Sequence, residues 1–390
     1  MDPNEIKKLD ETYIAPTYGR YDVVLTHGKG ATCYDGEGNP YIDFTSGIGV
    51  NALGFADTDW VKAVSAQLGK LQHTSNLYYT EPCVQAAKLL CEKSGMKKVF
   101  FGNSGAEANE GMIKAARKYS FQKYGSGRST IVALENSFHG RTMAALSATG
   151  QDAYHTFFFP FVEGFVFAKA NDLADTLSKL TEDVCAVLLE PIQGEGGVLP
   201  LEKEYVQAVA AACQEKDILL LIDEVQTGIG RTGSFYCYQQ FGIQPDLVSS
   251  AKGLGGGLPI GAVLFGEKTA EVLVAGDHGS TFGGNPAVCA GAAEILNRMD
   301  DAFLQEVSQK GDYLKAELEK LPHVTHVAGM GLMLGIELDI EVKPLVNILL
   351  EQGLLVLTAK HKMRLLPPLN ITQEELDAGL SILKKTLENQ

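Results

Sequence analysis

The stretch DILLLIDEV (217–225) is the clearest indication of the fold, because its apolar run is unbroken and leads directly into two carboxylates. Four other segments have the same near-continuous apolar character: KKVFFGN (97–103), STIVALEN (129–136), CAVLLEP (185–191) and PDLVSSAK (245–252). Strands covered on both faces of a parallel sheet have this composition, whereas half-exposed strands alternate apolar and polar residues. Helical patterns lie between several of the runs. The sequence therefore predicts an α/β fold with a mainly parallel, doubly wound sheet.

The two ends of the chain differ from this central part. Residues 20–50 form glycine-punctuated, strand-like segments with GEGN (36–39) as a hairpin turn, and the last third is helix-rich with a few strands. Thr372 and Glu375 have the spacing of a capping box at the start of the last helix. We expect a large domain over residues 53–275. A smaller α+β domain is expected from residues 1–52 and 276–390.

Composition restricts the class of protein. A length of 390 residues suggests two lobes or an elaborated large domain, and 45% apolar with 21% charged residues is typical of a soluble globular protein. The net charge of −15 disfavours non-specific nucleic-acid binding, since phosphate binding needs a basic surface. The start of the sequence is polar and no apolar run reaches about 18 residues, so we expect neither a signal peptide nor a membrane span. The seven cysteines are scattered, which is typical of reduced thiols in a cytoplasmic protein.

Ligands of open α/β sheets bind beyond the carboxyl ends of the strands, so the residues that follow each run are the candidates for chemistry. The run at 97–103 is followed by Ser104, Gly105 and Ala106, which begin a helix. Small residues at a helix start expose backbone N–H groups that can hold a phosphate. A capped helix with no ligand explains the same residues equally well.

Asp223 and Glu224 end the run at 218–222, and Lys252 ends the run at 245–250. Asp223 follows the apolar run directly, so we expect it to be the more buried of the two acids and able to hold a cationic nitrogen heterocycle. A lysine between small residues has room for a bulky group, and a desolvated lysine can form Schiff bases. The alternatives are a solvated carboxylate pair and a surface lysine.

Several other motifs are weak. The glycines at 228, 230 and 233 match G-x-G-x-x-G, but five residues separate them from the strand, which disfavours dinucleotide binding. His323 and His326 form an H-x-x-H pair without a third ligand at the usual spacing, so no metal site is predicted. Neither a P-loop nor a G-x-S-x-G elbow is present.

Eight segments in one order resemble the class III, fold-type I aminotransferases that depend on pyridoxal 5′-phosphate. They are SGIGVNALG (46–54), FGNSGAEANEGMIKAARKY (101–119), FHGRTMAALSATGQ (138–151), LEPIQGEGGV (189–198), LLLIDEVQTGIGRTG (219–233), PDLVSSAKGLGGGLPIGA (245–262), HGSTFGGNP (278–286) and RLLPPL (364–369). The family usually has G-H-x-H-P where this chain has Gly54 to Trp60. The resemblance therefore does not predict the local structure of this segment.

The resemblance implies that Lys252 and Asp223 are catalytic: Lys252 carries the cofactor covalently, and Asp223 pairs with its ring nitrogen. The implied cofactor contacts are Ser104, Gly105 and Ala106 at the phosphate, Phe138 on the ring face, Gln226 at the ring hydroxyl, Asp223, Lys252, and Thr281 at the phosphate of a neighbouring subunit. That last contact implies a homodimer with shared active sites. The implied substrate-binding residues are Arg141, Glu195, Arg364 and Ser280, with Arg141 on one carboxylate and Glu195 masking Arg364.

The implied activity is transfer of the δ-amino group of N2-acetylornithine to 2-oxoglutarate, a step of arginine biosynthesis. Ornithine, succinylornithine, lysine and 4-aminobutyrate are alternative amino donors, because enzymes for these substrates share the cofactor apparatus. A non-catalytic binding protein on the same scaffold and a dinucleotide-dependent oxidoreductase are the alternatives from other classes.

Overall fold

The computed structural model describes residues 1–390. Its helices are α1 (Pro3–Tyr13), α2 (Ser46–Gly49), α3 (Thr58–Leu68), α4 (Glu81–Ser94), α5 (Gly105–Tyr124), α6 (Met143–Ser147), α7 (Leu173–Ser178), α8 (Lys203–Glu215), α9 (Tyr238–Phe241), α10 (Pro286–Arg298), α11 (Asp301–Leu318), α12 (Val342–Glu351) and α13 (Gln373–Leu387). Its strands are β1 (Leu25–Lys29), β2 (Thr32–Asp35), β3 (Pro40–Asp43), β4 (Lys98–Gly102), β5 (Thr130–Leu134), β6 (Phe165–Ala168), β7 (Val184–Leu189), β8 (Ile192–Gln193), β9 (Leu199–Pro200), β10 (Leu219–Asp223), β11 (Leu247–Ser250), β12 (Gly261–Phe265), β13 (Val324–Met330), β14 (Met333–Leu338), β15 (Leu354–Leu355), β16 (Leu357–Ala359) and β17 (Lys362–Leu365).

A seven-stranded sheet with the order β4-β12-β11-β10-β7-β5-β6 forms the centre of the molecule. All five apolar runs are strands of this sheet. Strands β11, β10, β7, β5 and β6 are parallel, and only β12 runs against its neighbours β4 and β11. The predicted α/β fold with a mainly parallel sheet is confirmed.

The central strands are continuously apolar because helices cover both faces. Successive side chains of β10 point to opposite faces, as strand geometry requires. Leu219 and Leu221 join an apolar cluster that contains residues of α5, whereas Leu220 and Ile222 join a second cluster that contains residues of α8. Each face therefore removes apolar surface from water, which is the dominant favourable term in folding.

Two smaller sheets are made by the ends of the chain. Strands β1, β2 and β3 form an antiparallel meander, and β15 from the C-terminal third pairs parallel with β3. Strands β13, β14, β17 and β16 form a second, antiparallel sheet. Both ends therefore contribute to one sheet, as expected of a domain with N- and C-terminal parts. The boundaries at residues 52 and 275 stay a prediction.

Predicted turns and caps have clear counterparts. The GEGN turn joins β2 to β3, and the Thr372 side chain accepts from the Glu375 N–H while the Glu375 side chain accepts from the Thr372 N–H. In the segment that departs from the family, Asp57 caps α3 and binds Arg298 of α10 with two hydrogen bonds of 2.8 and 2.9 Å. The segment therefore forms the start of α3 and is attached to α10.

None of the helices has the length and apolarity needed to span a membrane.

Candidate active site

A cavity of about 460 Å³ lies beyond the carboxyl ends of the central strands. It is bordered by the start of α5, by the loop after β5 and by the residues that follow β10 and β11. Eight of the predicted site residues line it: Ser104, Gly105, Ala106, Phe138, Arg141, Asp223, Gln226 and Lys252. Because parallel strands end at one edge of the sheet, residues from distant parts of the sequence meet there.

The Asp223 carboxylate is held at the base of this cavity and is 4% exposed. Its Oδ2 accepts hydrogen bonds from Asn109 Nδ2 at 2.7 Å and from His139 Nδ1 at 2.8 Å. Burial lowers the pKa of His139, but the hydrogen bond and charge of Asp223 outweigh burial and raise it overall. These contacts fix the position of the carboxylate at the cavity.

The expectation that Asp223 is the more buried acid is wrong. Glu224 is fully buried, while Asp223 borders the cavity. The chain turns after β10, so the Glu224 carboxylate points into the protein. It accepts from the Tyr238 N–H at 2.7 Å and the Thr227 hydroxyl at 2.5 Å. Burial raises the pKa of Glu224 to about 7.

Lys252 lies in a short 3-10 turn that follows β11, and it borders the cavity together with Asp223. Its φ is +42°, in the left-handed region that a non-glycine residue seldom adopts. Burial lowers the pKa of Lys252, and the negative charges of Glu195 and Asp223 act in the opposite direction. A lowered pKa increases the neutral fraction of the amine, which is the nucleophilic and basic form.

The start of α5 forms another wall of the cavity. The Ser104 hydroxyl caps the helix by accepting from the Glu107 N–H at 3.2 Å. The first N–H groups of a helix have no partner within it and attract anions. A Cβ on Gly105 would lie 2.7 and 2.9 Å from the two γ-carbons of Val225. Glycine is therefore needed for the close approach of α5 to the residues that follow Asp223.

Phe138 is held by a buried acid that also lines the cavity. Glu190 Oε2 accepts from the Phe138 N–H at 2.9 Å, and Glu190 is 6% exposed. Burial raises the pKa of Glu190 to about 7, although the charge of His139 lowers it. The hydrogen bond fixes the backbone at the start of the F-H-G-R segment that carries Arg141.

Arg364 and Glu195 pair at the side of the site but do not border the cavity itself. Arg364 is 2% exposed, and its Nη1 donates to Glu195 Oε1 at 2.6 Å and to Gln226 Oε1 at 3.1 Å. Arg364 Nε is buried without a partner. The guanidinium is thus incompletely satisfied by the protein, and Gln226 connects it to the cavity.

Ser280 and Thr281 lie outside the cavity of their own chain. The Ser280 hydroxyl accepts from the Gly283 N–H at 2.9 Å and from Asn103 Nδ2 at 3.1 Å. Thr281 is exposed, and the adjacent Phe282 is 62% exposed. The structure therefore does not bring these two predicted residues to the other eight within one chain.

The weak motifs of the sequence have structural explanations. Gly230 and Gly233 approach Met299, Leu304 and Ser308 so closely that a side chain would collide. No group of three or more His, Cys, Asp or Glu side chains is placed to bind a metal ion, and His323 contacts Asp339 at 2.8 Å.

Comparison with known proteins identifies the family. The family model described as Aminotransferase class-III matches residues 13–387. The chain belongs to the class III aminotransferases. A relative from Haemophilus ducreyi named acetylornithine aminotransferase is 56% identical over 390 residues, covering 99% of each chain. The N-acetylornithine aminotransferase structure from Stenotrophomonas maltophilia has a TM-score of 0.84 at 36% identity and covers 98% of both chains.

A second solved structure is similar to this class III aminotransferase. The ornithine aminotransferase of Toxoplasma gondii, with partial occupancy of PLP at its active site, has a TM-score of 0.95 at 31% identity. It covers 100% of this chain, which covers 94% of that one. The predicted family, and with it the fold type, is confirmed.

Sequence reasoning did not select three side chains of this class III aminotransferase: Asn109, His139 and Glu190. Each lines the cavity and lies within one of the eight family-like segments, on α5, after β5 and after β7. Asn109 follows Gly105 by four residues and so lies on the same helix face, which was the available signal. Nothing in the sequence indicated that its amide reaches Asp223.

Proposed function

We propose that this chain is a pyridoxal-phosphate-dependent acetylornithine aminotransferase. It transfers the δ-amino group of N2-acetylornithine to 2-oxoglutarate and gives N-acetylglutamate 5-semialdehyde and glutamate. The observation that carries the proposal is the placement of Lys252 and Asp223 at one cavity beside the N-terminus of α5. The 56% identity to an acetylornithine aminotransferase over the whole chain supports the substrate.

The groups around the cavity fit pyridoxal phosphate. The α5 terminus with Ser104 and Gly105 offers N–H donors to a phosphate, and Asp223 offers a fixed carboxylate to a protonated ring nitrogen. Phe138 and Val225 supply apolar surface for a flat ring. When bound, this cofactor acts as an electron sink that stabilises negative charge on the substrate carbon.

Lys252 has two roles in the proposed reaction. It holds the cofactor between turnovers, and it moves a proton at the substrate carbon that bears the amino group. Burial favours the neutral amine, which can accept that proton. Asp223, held in place by its bonds to Asn109 and His139, would pair with the ring nitrogen of the cofactor.

Three charged residues are proposed to distinguish the two substrates. Arg141 binds the α-carboxylate of N2-acetylornithine, since its guanidinium at the cavity makes no ion pair within the chain. Glu195 neutralises Arg364 while this substrate is bound. Arg364 then binds the second carboxylate of 2-oxoglutarate after Glu195 moves away. Ser280, in the loop before α10, is proposed to bind the substrate together with these three residues.

We also propose a homodimer in which Thr281 reaches the phosphate of the partner subunit's site. Its exposure, together with that of Phe282, supports this arrangement. Light scattering coupled to size-exclusion chromatography should give twice the chain mass of 41.9 kDa, and a stable monomer with full activity would contradict it. The cytoplasm is the proposed location.

The first test is an absorbance spectrum of purified holoenzyme before and after N2-acetylornithine is added. The visible band of the lysine-bound cofactor should give way to a near-ultraviolet band, and 2-oxoglutarate should restore it. The ratio of kcat/KM for N2-acetylornithine to that for succinylornithine, ornithine, lysine and 4-aminobutyrate then ranks the donors. A visible band that only another donor removes would keep the cofactor and overturn the substrate.

A further inference from the structure

Arg141 is held against an aromatic side chain that its own sequence segment does not contain. The guanidinium carbon of Arg141 lies 4.1 Å from the ring centroid of Tyr154 and 5.5 Å from that of Phe138. The two rings meet edge to face, with centroids 5.6 Å apart and an interplanar angle of 67°. The guanidinium of Arg141 therefore lies over this pair of rings at the edge of the cavity.

No hydrogen bond or ion pair fixes the Arg141 side chain in addition to these rings, although a carboxylate of α5, Glu110, contacts the next residues along the chain. Glu110 Oε1 instead accepts from the Thr142 hydroxyl at 2.7 Å and the N–H groups of Ala144 and Ala145 at 3.0 and 3.2 Å. The N–H groups of the guanidinium thus have no partner within the chain, while its carbon lies over the Tyr154 ring.

We infer that Tyr154 is a positioning residue for substrate recognition: its ring orients Arg141 so that the guanidinium edge meets the substrate carboxylate. An aromatic face attracts a guanidinium through the ring quadrupole and leaves the in-plane N–H donors available. A carboxylate binds to those donors in a bidentate manner. Tyr154 acts through Arg141, and the inference rests on the proposed role of Arg141.

Hydrogen bonds fix the backbone that carries the Tyr154 ring. Tyr154 ends a short 3-10 turn at Asp152–Tyr154, and its N–H donates to the Gln151 carbonyl at 3.0 Å. The Gln151 side chain in turn donates to the Ser137 carbonyl at 3.0 Å, one residue before Phe138. The Tyr154 hydroxyl has no hydrogen-bond partner, so only the ring face is needed for the contact with Arg141.

The test compares two amines that differ only in the carboxylate. N2-Acetylornithine carries it, and N-acetylputrescine is the same molecule without it. In Tyr154→Leu, KM for N2-acetylornithine should rise about two- to five-fold with little change in kcat, the range for one exposed cation–π contact. The kcat/KM for N-acetylputrescine should stay at the wild-type value. Tyr154→Phe keeps the ring and should behave as wild type for both amines.

Two further variants make the result specific. Phe157→Leu removes an aromatic side chain that is 82% exposed in the same loop and should change neither amine. In an Arg141→Gln background, which has no cation to lie over the ring, Tyr154→Leu should add no further loss. Equal losses on both amines, no loss on N2-acetylornithine, or a Tyr154→Phe variant as impaired as Tyr154→Leu would each overturn the inference. A wild-type enzyme that is active but does not prefer the carboxylated amine would instead overturn the proposed role of Arg141.

Discussion

Neutralising Glu195 while keeping its shape should shift the preference of the enzyme between its two substrates. In the structure, Arg364 Nη1 donates to Glu195 Oε1 at 2.6 Å, and Arg364 is 2% exposed. The second carboxylate of 2-oxoglutarate must replace this contact to reach Arg364. Glu195→Gln keeps an oxygen acceptor at the same position but removes the charge that competes with the substrate.

The size of the effect follows from the two kinds of hydrogen bond. A hydrogen bond to a charged group contributes about 1.5–3 kcal/mol, and a neutral one about 0.5–1.5 kcal/mol. The Glu195 side chain is 27% exposed, so water weakens the ion pair and the low end of the difference applies. A difference of about 1 kcal/mol corresponds to a roughly five-fold lower KM for 2-oxoglutarate. With N2-acetylornithine, Arg364 is left without its counter-charge, and kcat/KM should fall by a similar factor.

Each half-reaction can be followed separately by stopped-flow absorbance of the cofactor at varied substrate concentration. Glu204→Gln is the matched control, because it removes one negative charge from an exposed position on α8. Opposite changes for the two substrates in Glu195→Gln, with neither in the control, are the expected result. If both substrates change in the same direction, or neither changes, the reasoning about Arg364 is refuted.

Three other variants test the remaining parts of the site. Lys252→Ala should lose turnover and the visible cofactor band, and a variant that keeps either would contradict the role of Lys252. Glu224→Gln should remove a pH dependence of unfolding: burial raises the Glu224 pKa from 4.5 to about 7, so wild-type stability falls as pH rises from 4.5 to 7. Across that window the free energy of unfolding of the variant should rise by up to about 3 kcal/mol relative to that of wild type. Urea titrations followed by the fluorescence of the single tryptophan, Trp60, measure it. The same pH dependence of stability in both proteins would contradict this. Gly105→Ala should cost about 1–3 kcal/mol of stability and weaken phosphate binding, because the added methyl group meets Val225 at 2.7 Å. Equilibrium dialysis measures the affinity for pyridoxal phosphate, and an unchanged affinity would be the contrary result.

The sequence alone was enough for the class of fold and for the sheet edge at which the site lies. Continuous apolar runs can be stable strands only where both faces are covered, so DILLLIDEV and its four counterparts predicted a parallel sheet. Because ligands of such sheets bind beyond the carboxyl ends of the strands, the positions of Asp223 and Lys252 after two of the runs made both residues candidates for the site. The capping box of Thr372 and Glu375 was equally readable, since it depends on two residues three apart.

The partners of these residues depend on the tertiary structure. Whether Asp223 or Glu224 faces the cavity depends on how the chain turns after β10, and adjacency to an apolar run gave the wrong answer about burial. The contacts of Asn109 and His139 with Asp223, and of Tyr154 with Arg141, join residues whose spacing carries no periodic signal. Local patterns record which face of a strand or helix is buried, whereas contacts between separate elements depend on distances and rotamers that only the packed chain defines.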